Sequence, residues 1–166
     1  MKNSNEAFKD VVCGMMVGSD EISTDYQGCH YAFCSNQCLE RFKSSPHLYI
    51  GFPGSEAPGH AGVEILKKRR LKLSESLTHE TENRVIECLT SMMGIKQVEI
   101  EDDRITIIYD LMQATEAQIE QAICASNIVL GDDLMEKIRR AFVHNMEETE
   151  IESMEARPVS SHSHHH

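Results

Sequence analysis

The sequence predicts an α+β chain of two modules, a small cysteine-rich one followed by a larger sandwich of helices on a sheet. Three observations predict it. Cys13, Cys29, Cys34 and Cys38, four of the six cysteines, crowd into the first quarter of the 166 residues. From Phe52 to Gly62 the chain reads Phe-Pro-Gly-Ser-Glu-Ala-Pro-Gly-His-Ala-Gly, which neither a helix nor a central strand tolerates. Downstream, the spacing of apolar residues switches between the alternation of strands and the three- and four-residue steps of helices. The boundaries that follow are residues 8–52 for the first module, 53–65 for a linker and 66–146 for the second module, with 147–166 an acidic, histidine-ended tail predicted to be disordered.

In the first module, Tyr26-Gln27-Gly28 reads as a turn and Cys29 to Phe33 as a short strand leaving it. Ser35 is placed to cap a helix whose apolar positions Cys38, Leu39 and Phe42 share one side, and Pro46 lies just past its end. In the second module, Leu71 and Leu73 alternate with polar neighbours as in a strand. Val85, Ile86, Leu89 and Met92 then mark one face of a helix stopped by Gly94. Val98 and Ile100, a turn at Asp102-Asp103, and Ile105, Ile107 and Tyr109 form a hairpin pattern. Thr115 and Gln118 make a capping box for a helix carrying Ile119, Ala122 and Ile123, and Ile128 to Leu130 reads as a closing strand. Strand, helix, strand, strand, helix, strand is the order of a ferredoxin-like sandwich, with two helices on one face of a four-stranded sheet. Asp132 or Asp133 can cap one further helix, with Leu134, Ile138, Ala141 and Phe142 on one side.

Charge and composition narrow the function. With 16 basic residues against 27 acidic ones the formal charge is -11, opposite to what binding a phosphate backbone needs, so nucleic acid is not an expected partner. The apolar runs are far too short for a membrane span, and Met1 to Asp10 has no apolar signal core, so the chain is predicted to be cytoplasmic. Thiols stay reduced in that compartment, and clustered cysteines there point to metal or redox chemistry rather than disulfides.

Cys34 and Cys38, separated by three residues, project from one face if they occupy the start of a helix, which makes them a chelating pair. A helix N-terminus also favours the thiolate at Cys34. Cys13 sits in Cys-Gly-Met, where the glycine permits a tight turn that aims a thiolate at an ion. The fourth position of a tetrahedral site is open to Asp10, Cys29, His30 or Met16, and of the adjacent pair Cys29 and His30 only one can face the site from a strand. Sulfur-rich ligation selects Zn or Cu(I) over Mg or Ca. The competing reading makes these cysteines small buried hydrophobes, the reading preferred for Cys88 and Cys124 on their helices. With no Cys-x-x-Cys and no base beside Cys34, a binding protein is expected rather than an enzyme.

Asp10-Val11-Val12-Cys13-Gly14-Met15, Tyr26-Gln27-Gly28, Tyr31 to Cys38 and Arg41-Phe42 together resemble a YHS domain of the TRASH-like metal-binding group, over roughly residues 10–50. The resemblance implies a treble-clef or zinc-ribbon-like module found in heavy-metal sensing and trafficking proteins. Related ribbons carry four cysteines, the first of them three residues before the Cys-Gly cysteine. Asp10 stands at that position, so the resemblance makes it the fourth ligand beside Cys13, Cys34 and Cys38, with Cys29 and His30 as auxiliaries. Val11 replaces the family's usual proline. Residues 70–131 are similar to a heavy-metal-associated domain, through Met93-Gly94-Ile95 with Val98 and through Ala122-Ile123, but they lack its Met-x-Cys-x-x-Cys loop. Leu77, His79 and Glu82 align there and cannot form a two-thiolate site. The expectation is therefore an intracellular Zn or Cu binding protein in metal trafficking, sensing or resistance. Its acidic surface would dock on a metal transporter or another protein. The alternative is an adaptor whose zinc is purely structural. His162 and His164 to His166 are assigned no role.

Overall fold

The computed structural model describes residues 7–156. It is mixed helix and sheet, and it divides into two units: residues up to Val63 together with the chain from Glu152, and Glu64–Ile151.

In the first unit, β1 (Phe8–Lys9) pairs antiparallel with β2 (Met16–Val17), and β3 (Ser23–Tyr26) with β4 (Cys29–Ala32). Two short helices follow, α1 (Asn36–Ser44) and α2 (His47–Ile50). Ser35 caps α1 as its sequence suggests, its hydroxyl accepting from the Cys38 N–H at 3.3 Å. Phe42 on α1 meets the rings of Tyr26, Tyr31 and Phe33 at centroid distances of 5.9, 4.7 and 5.3 Å, which fixes the β3–β4 hairpin against the helix.

Of the stretch expected to be a linker, residues 53–65, the part up to Val63 is folded into the first unit, and the division between the units falls after Val63. Pro58–His60 forms a 3-10 turn in which Ala57 and Pro58 are buried. Gly59 lies so close to α2 that a Cβ there would stand 2.9 Å from the Leu48 carbonyl oxygen. Proline and glycine here fix a dihedral and allow a close approach; they do not loosen the chain.

The second unit contains β5 (Leu66–Lys72), α3 (His79–Thr90), β6 (Ile95–Glu101), β7 (Arg104–Asp110), α4 (Glu116–Ala125) and the start of α5 (Leu134–Ala156). The strands form an antiparallel sheet in the order β5-β7-β6. Leu71, Leu73, Ile105, Ile107 and Tyr109 are buried on the sheet, as are Val85 and Leu89 of α3 and Ile119 and Ile123 of α4. The capping box of Thr115 and Gln118 is present. Gly94 is required after α3: its φ is 86°, and a Cβ there would meet that of Gln113 at 2.7 Å.

Two further expectations are corrected. The closing strand at Ile128 to Leu130 shrinks to a single bridge, Leu73 with Leu130, because Asp133 begins α5 almost at once by accepting from the Glu136 N–H at 3.0 Å. The acidic stretch from Glu147 is helical to Ala156 rather than disordered, because Val143, Glu147 and Ile151 recur four residues apart and are buried. Residues 157–166 of the predicted tail lie outside the described residues.

Glu147 is buried yet satisfied: it accepts from the Tyr109 hydroxyl, and its other oxygen accepts from the Glu116 N–H at 2.8 Å. Glu116, also buried, is not. Arg69 and Arg139 stand 3.5 and 3.8 Å from its oxygens, beyond hydrogen-bond reach, and neither oxygen has a hydrogen-bond partner. Burial therefore prevails over the two guanidiniums and pushes its carboxyl from 4.5 up to about 7. An acid whose folded value is raised contributes stability that is complete below its unfolded value and is lost as pH climbs through the folded one. Glu116→Gln is therefore expected to gain on the parent chain between pH 5 and pH 8, by on the order of 2–3 kcal/mol. Urea unfolding at both pH values measures this gain, and a difference that is flat with pH contradicts the assignment.

Candidate metal centre

Cys13, Cys34 and Cys38 arrive from two loops. Between β1 and β2 the chain reverses in a tight knuckle, in which the Asp10 N–H donates to the Met15 carbonyl at 2.8 Å and the Gly14 N–H to the Asp10 carbonyl at 2.7 Å. Gly14 takes a φ of 80° there, as the Cys-Gly pairing suggests, and Cys13 sits at the tip. The second loop joins β4 to α1 and presents Cys34 just before the cap residue and Cys38 in the first turn.

The sulfurs converge. Cys13 Sγ is 3.5 Å from Cys34 Sγ, which is 3.6 Å from Cys38 Sγ, and no disulfide joins them. An oxygen of Asp10 completes a set whose ligand atoms all lie within 4.8 Å of one another. Four ligands at the ordinary Zn–S length of ~2.3 Å put tetrahedral neighbours ~3.8 Å apart, so the sulfurs need to spread by only a few tenths of an ångström to receive an ion. The donor set fits a thiophilic metal.

Asp10 has a second task. It is fully buried; its Oδ1 accepts from the N–H groups of Val12 at 2.8 Å and Cys13 at 3.3 Å, and its Oδ2 accepts from the Cys34 N–H at 2.9 Å. One carboxylate thus ties the knuckle to the loop before α1. Burial works to raise its pKa, but the hydrogen bonds from the Cys34 and Val12 amides prevail and hold it below its ordinary value. Burial, opposed by the Met15 amide and aided by Cys34 and Asp10, pushes the Cys13 thiol up to about 11, and burial likewise raises Cys38. Both are protonated at neutral pH, so an ion that takes them must displace two protons.

The site has a dry side and a wet side: Asp10 and Cys38 are buried, Cys13 is half-buried and Cys34 is exposed. The proposed auxiliaries lie outside the group. Cys29 is exposed, and His30 is occupied by Asp25 at 2.7 Å and Asp20 at 3.6 Å. Met16 is exposed on β2. Cys88 is half-buried, while Cys124, expected in the core, is exposed on α4. Reasoning from sequence also missed His60, whose ring Nε2 donates to the Val11 carbonyl at 2.6 Å and braces the knuckle from the folded 53–63 segment. No spacing rule signals that contact.

The YHS domain family matches residues 8–51, the stretch that carries the four clustered side chains. No curated protein matches the chain. Among solved structures, the chain has a distant likeness to a CsoZ metallochaperone, at 22% identity and a TM-score of 0.38, covering 40% of this chain and 99% of that one.

Proposed function

We propose that this chain binds one Zn or Cu(I) ion through Cys13, Cys34 and Cys38 and hands it on or senses it, without catalysing a reaction. The observation that carries the reading is the convergence of three sulfurs at 3.5 and 3.6 Å from two separate loops. With Asp10 engaged by three amides, the fourth position is left weakly held. The exposure of Cys34 gives an incoming thiol a route to the ion, which favours exchange over permanent storage. The burial of Cys38 favours the second reading, a structural zinc.

We read the second unit as a ferredoxin-like, heavy-metal-associated-like platform without a metal loop of its own. The strand order β5-β7-β6 and the Leu73–Leu130 bridge, which puts the last segment beside β5, support that reading. Among the described residues no helix is long and apolar enough to cross a membrane. The excess of acidic residues suits a basic docking face on a transporter or other protein in the cytoplasm.

The test is to load the chain, freed of its terminal histidines, with Zn(II) or Cu(I), and then to compete with a chelator while following circular dichroism. The expected result is one ion per chain, released within minutes with the fold retained. Binding should release protons and weaken as pH falls, because the Cys13 and Cys38 thiols, raised by burial, must lose theirs. Unfolding on removal would favour the structural zinc, and no uptake of either metal would sink both readings.

A further inference from the structure

The second unit gathers positive charge that the rest of this acidic chain lacks. Of the 16 lysines and arginines, Lys68, Arg69, Arg70, Lys72, Arg104 and Arg139 line one cleft of about 340 Å³, completed by Glu136 and Val143. Lys68, Arg70 and Lys72 share one face of β5 by the two-residue period of a strand. Arg104 stands directly opposite Lys72 on β7. Arg139 reaches in from α5 and donates to the Arg70 carbonyl at 3.1 Å.

Like charges paired across strands destabilise a sheet, and the neutralisation here is incomplete. Lys72 lies 4.0 Å from Asp133, and Arg104 lies 3.8 Å from its neighbour Asp103. Among the described residues no carboxylate pairs with Lys68 or Arg70. The two deeper guanidiniums, by contrast, are fixed. Arg69 is held by Glu116 and Glu147 at 3.5 and 3.9 Å, and Arg139 by Glu136 and Glu116 at 3.5 and 3.8 Å. By the same two-residue period the Arg69 side chain leaves β5 on the opposite face, so the cleft offers one positioned fork, Arg139, beside two unpaired cations, an arrangement suited to oxyanions.

We propose that this cleft binds a small anion carrying two or more phosphate or carboxylate groups. Its volume lies at the lower end for small-ligand sites, about 300–1,000 Å³. A net charge of -11 repels an extended polyanion, whereas a compact one feels chiefly the local cations. The bland explanation is that cations on β5, at the edge of the sheet, keep it from pairing with other chains.

The test is calorimetric titration of the full chain with inorganic tripolyphosphate and, separately, with citrate, at about 50 mM salt. At least one should bind with one site per chain, and Lys68→Ala and Arg70→Ala should each weaken it about tenfold or more. The stronger of the two probes names the source, phosphate or carboxylate. Failure of both probes to bind overturns the proposal, as does binding that both variants leave unchanged. An affinity for single-stranded oligonucleotide that grows with its length also overturns it, in favour of an extended strand. So does self-association of the variants without any anion binding, which assigns these cations to edge protection. Both side chains are exposed, and unchanged melting temperatures and metal uptake show that the variants fold.

Discussion

Cys38→Ser is expected to lower the affinity for Zn(II) or Cu(I) by more than about 100-fold. Removing a group that merely orients a ligand costs a metal site about 10–100-fold, and loss of a direct thiolate must exceed that. Cys38 is the ligand with the least freedom: it is buried, lies in the first turn of α1 and has its N–H held by the Ser35 hydroxyl. Serine fits the same space and leaves that cap intact, so the loss should fall on binding rather than on folding. Cys124→Ser and Cys29→Ser should leave the affinity within about twofold, since both thiols are exposed and neither belongs to the cluster. Competition titration against a chromophoric chelator reads all three variants. Parental affinity in Cys38→Ser would show that the three-sulfur site does not hold the ion.

What was legible in the sequence was what local rules govern. The pairing of Cys34 with Cys38 follows from helical spacing, the Cys13 knuckle from its glycine, and the caps at Ser35 and Thr115 from the hydroxyls placed there. What escaped depends on partners distant in the chain. Glycines and prolines from 53 to 63 looked like a linker because their contacts, His60 with Val11 and Gly59 with α2, span too many residues to leave a pattern. Glutamates after 147 looked like a solvated tail because nothing local says that Tyr109 and the Glu116 amide await Glu147. The same limit applies to Asp10: the residues alone left it one of four candidates and only the resemblance to related ribbons singled it out, while its hydrogen bond to Cys34, 24 residues away, appears only in three dimensions.

That bond sets the expectation for Asp10→Ala. The substitution leaves the N–H groups of Val12, Cys13 and Cys34 without their acceptor in a buried or half-buried setting. Each orphaned donor costs about 1–3 kcal/mol, so a loss of at least about 3 kcal/mol is expected, comparable with the whole stability of a small module. A ligand and a clamp make different predictions here. If Asp10 acted chiefly as the fourth ligand, the metal-free chain would lose little stability and the defect would appear in affinity alone. If it acts chiefly as the clamp between the two loops, the metal-free chain should already be destabilised, with amide exchange accelerated at Val12 and Cys34. Asp10→Asn should then recover only part of the loss, because the amide keeps one acceptor oxygen and turns a donor toward a backbone N–H. The lowered carboxyl adds a sign: a group depressed when folded contributes stability above its unfolded value near 3.8 and loses it as pH falls through the folded one. The parent chain should therefore lose its advantage over Asp10→Asn in acid and keep it at neutral pH. An advantage that persists equally at both, or none in the metal-free state, is the result that would return Asp10 to the role of ligand.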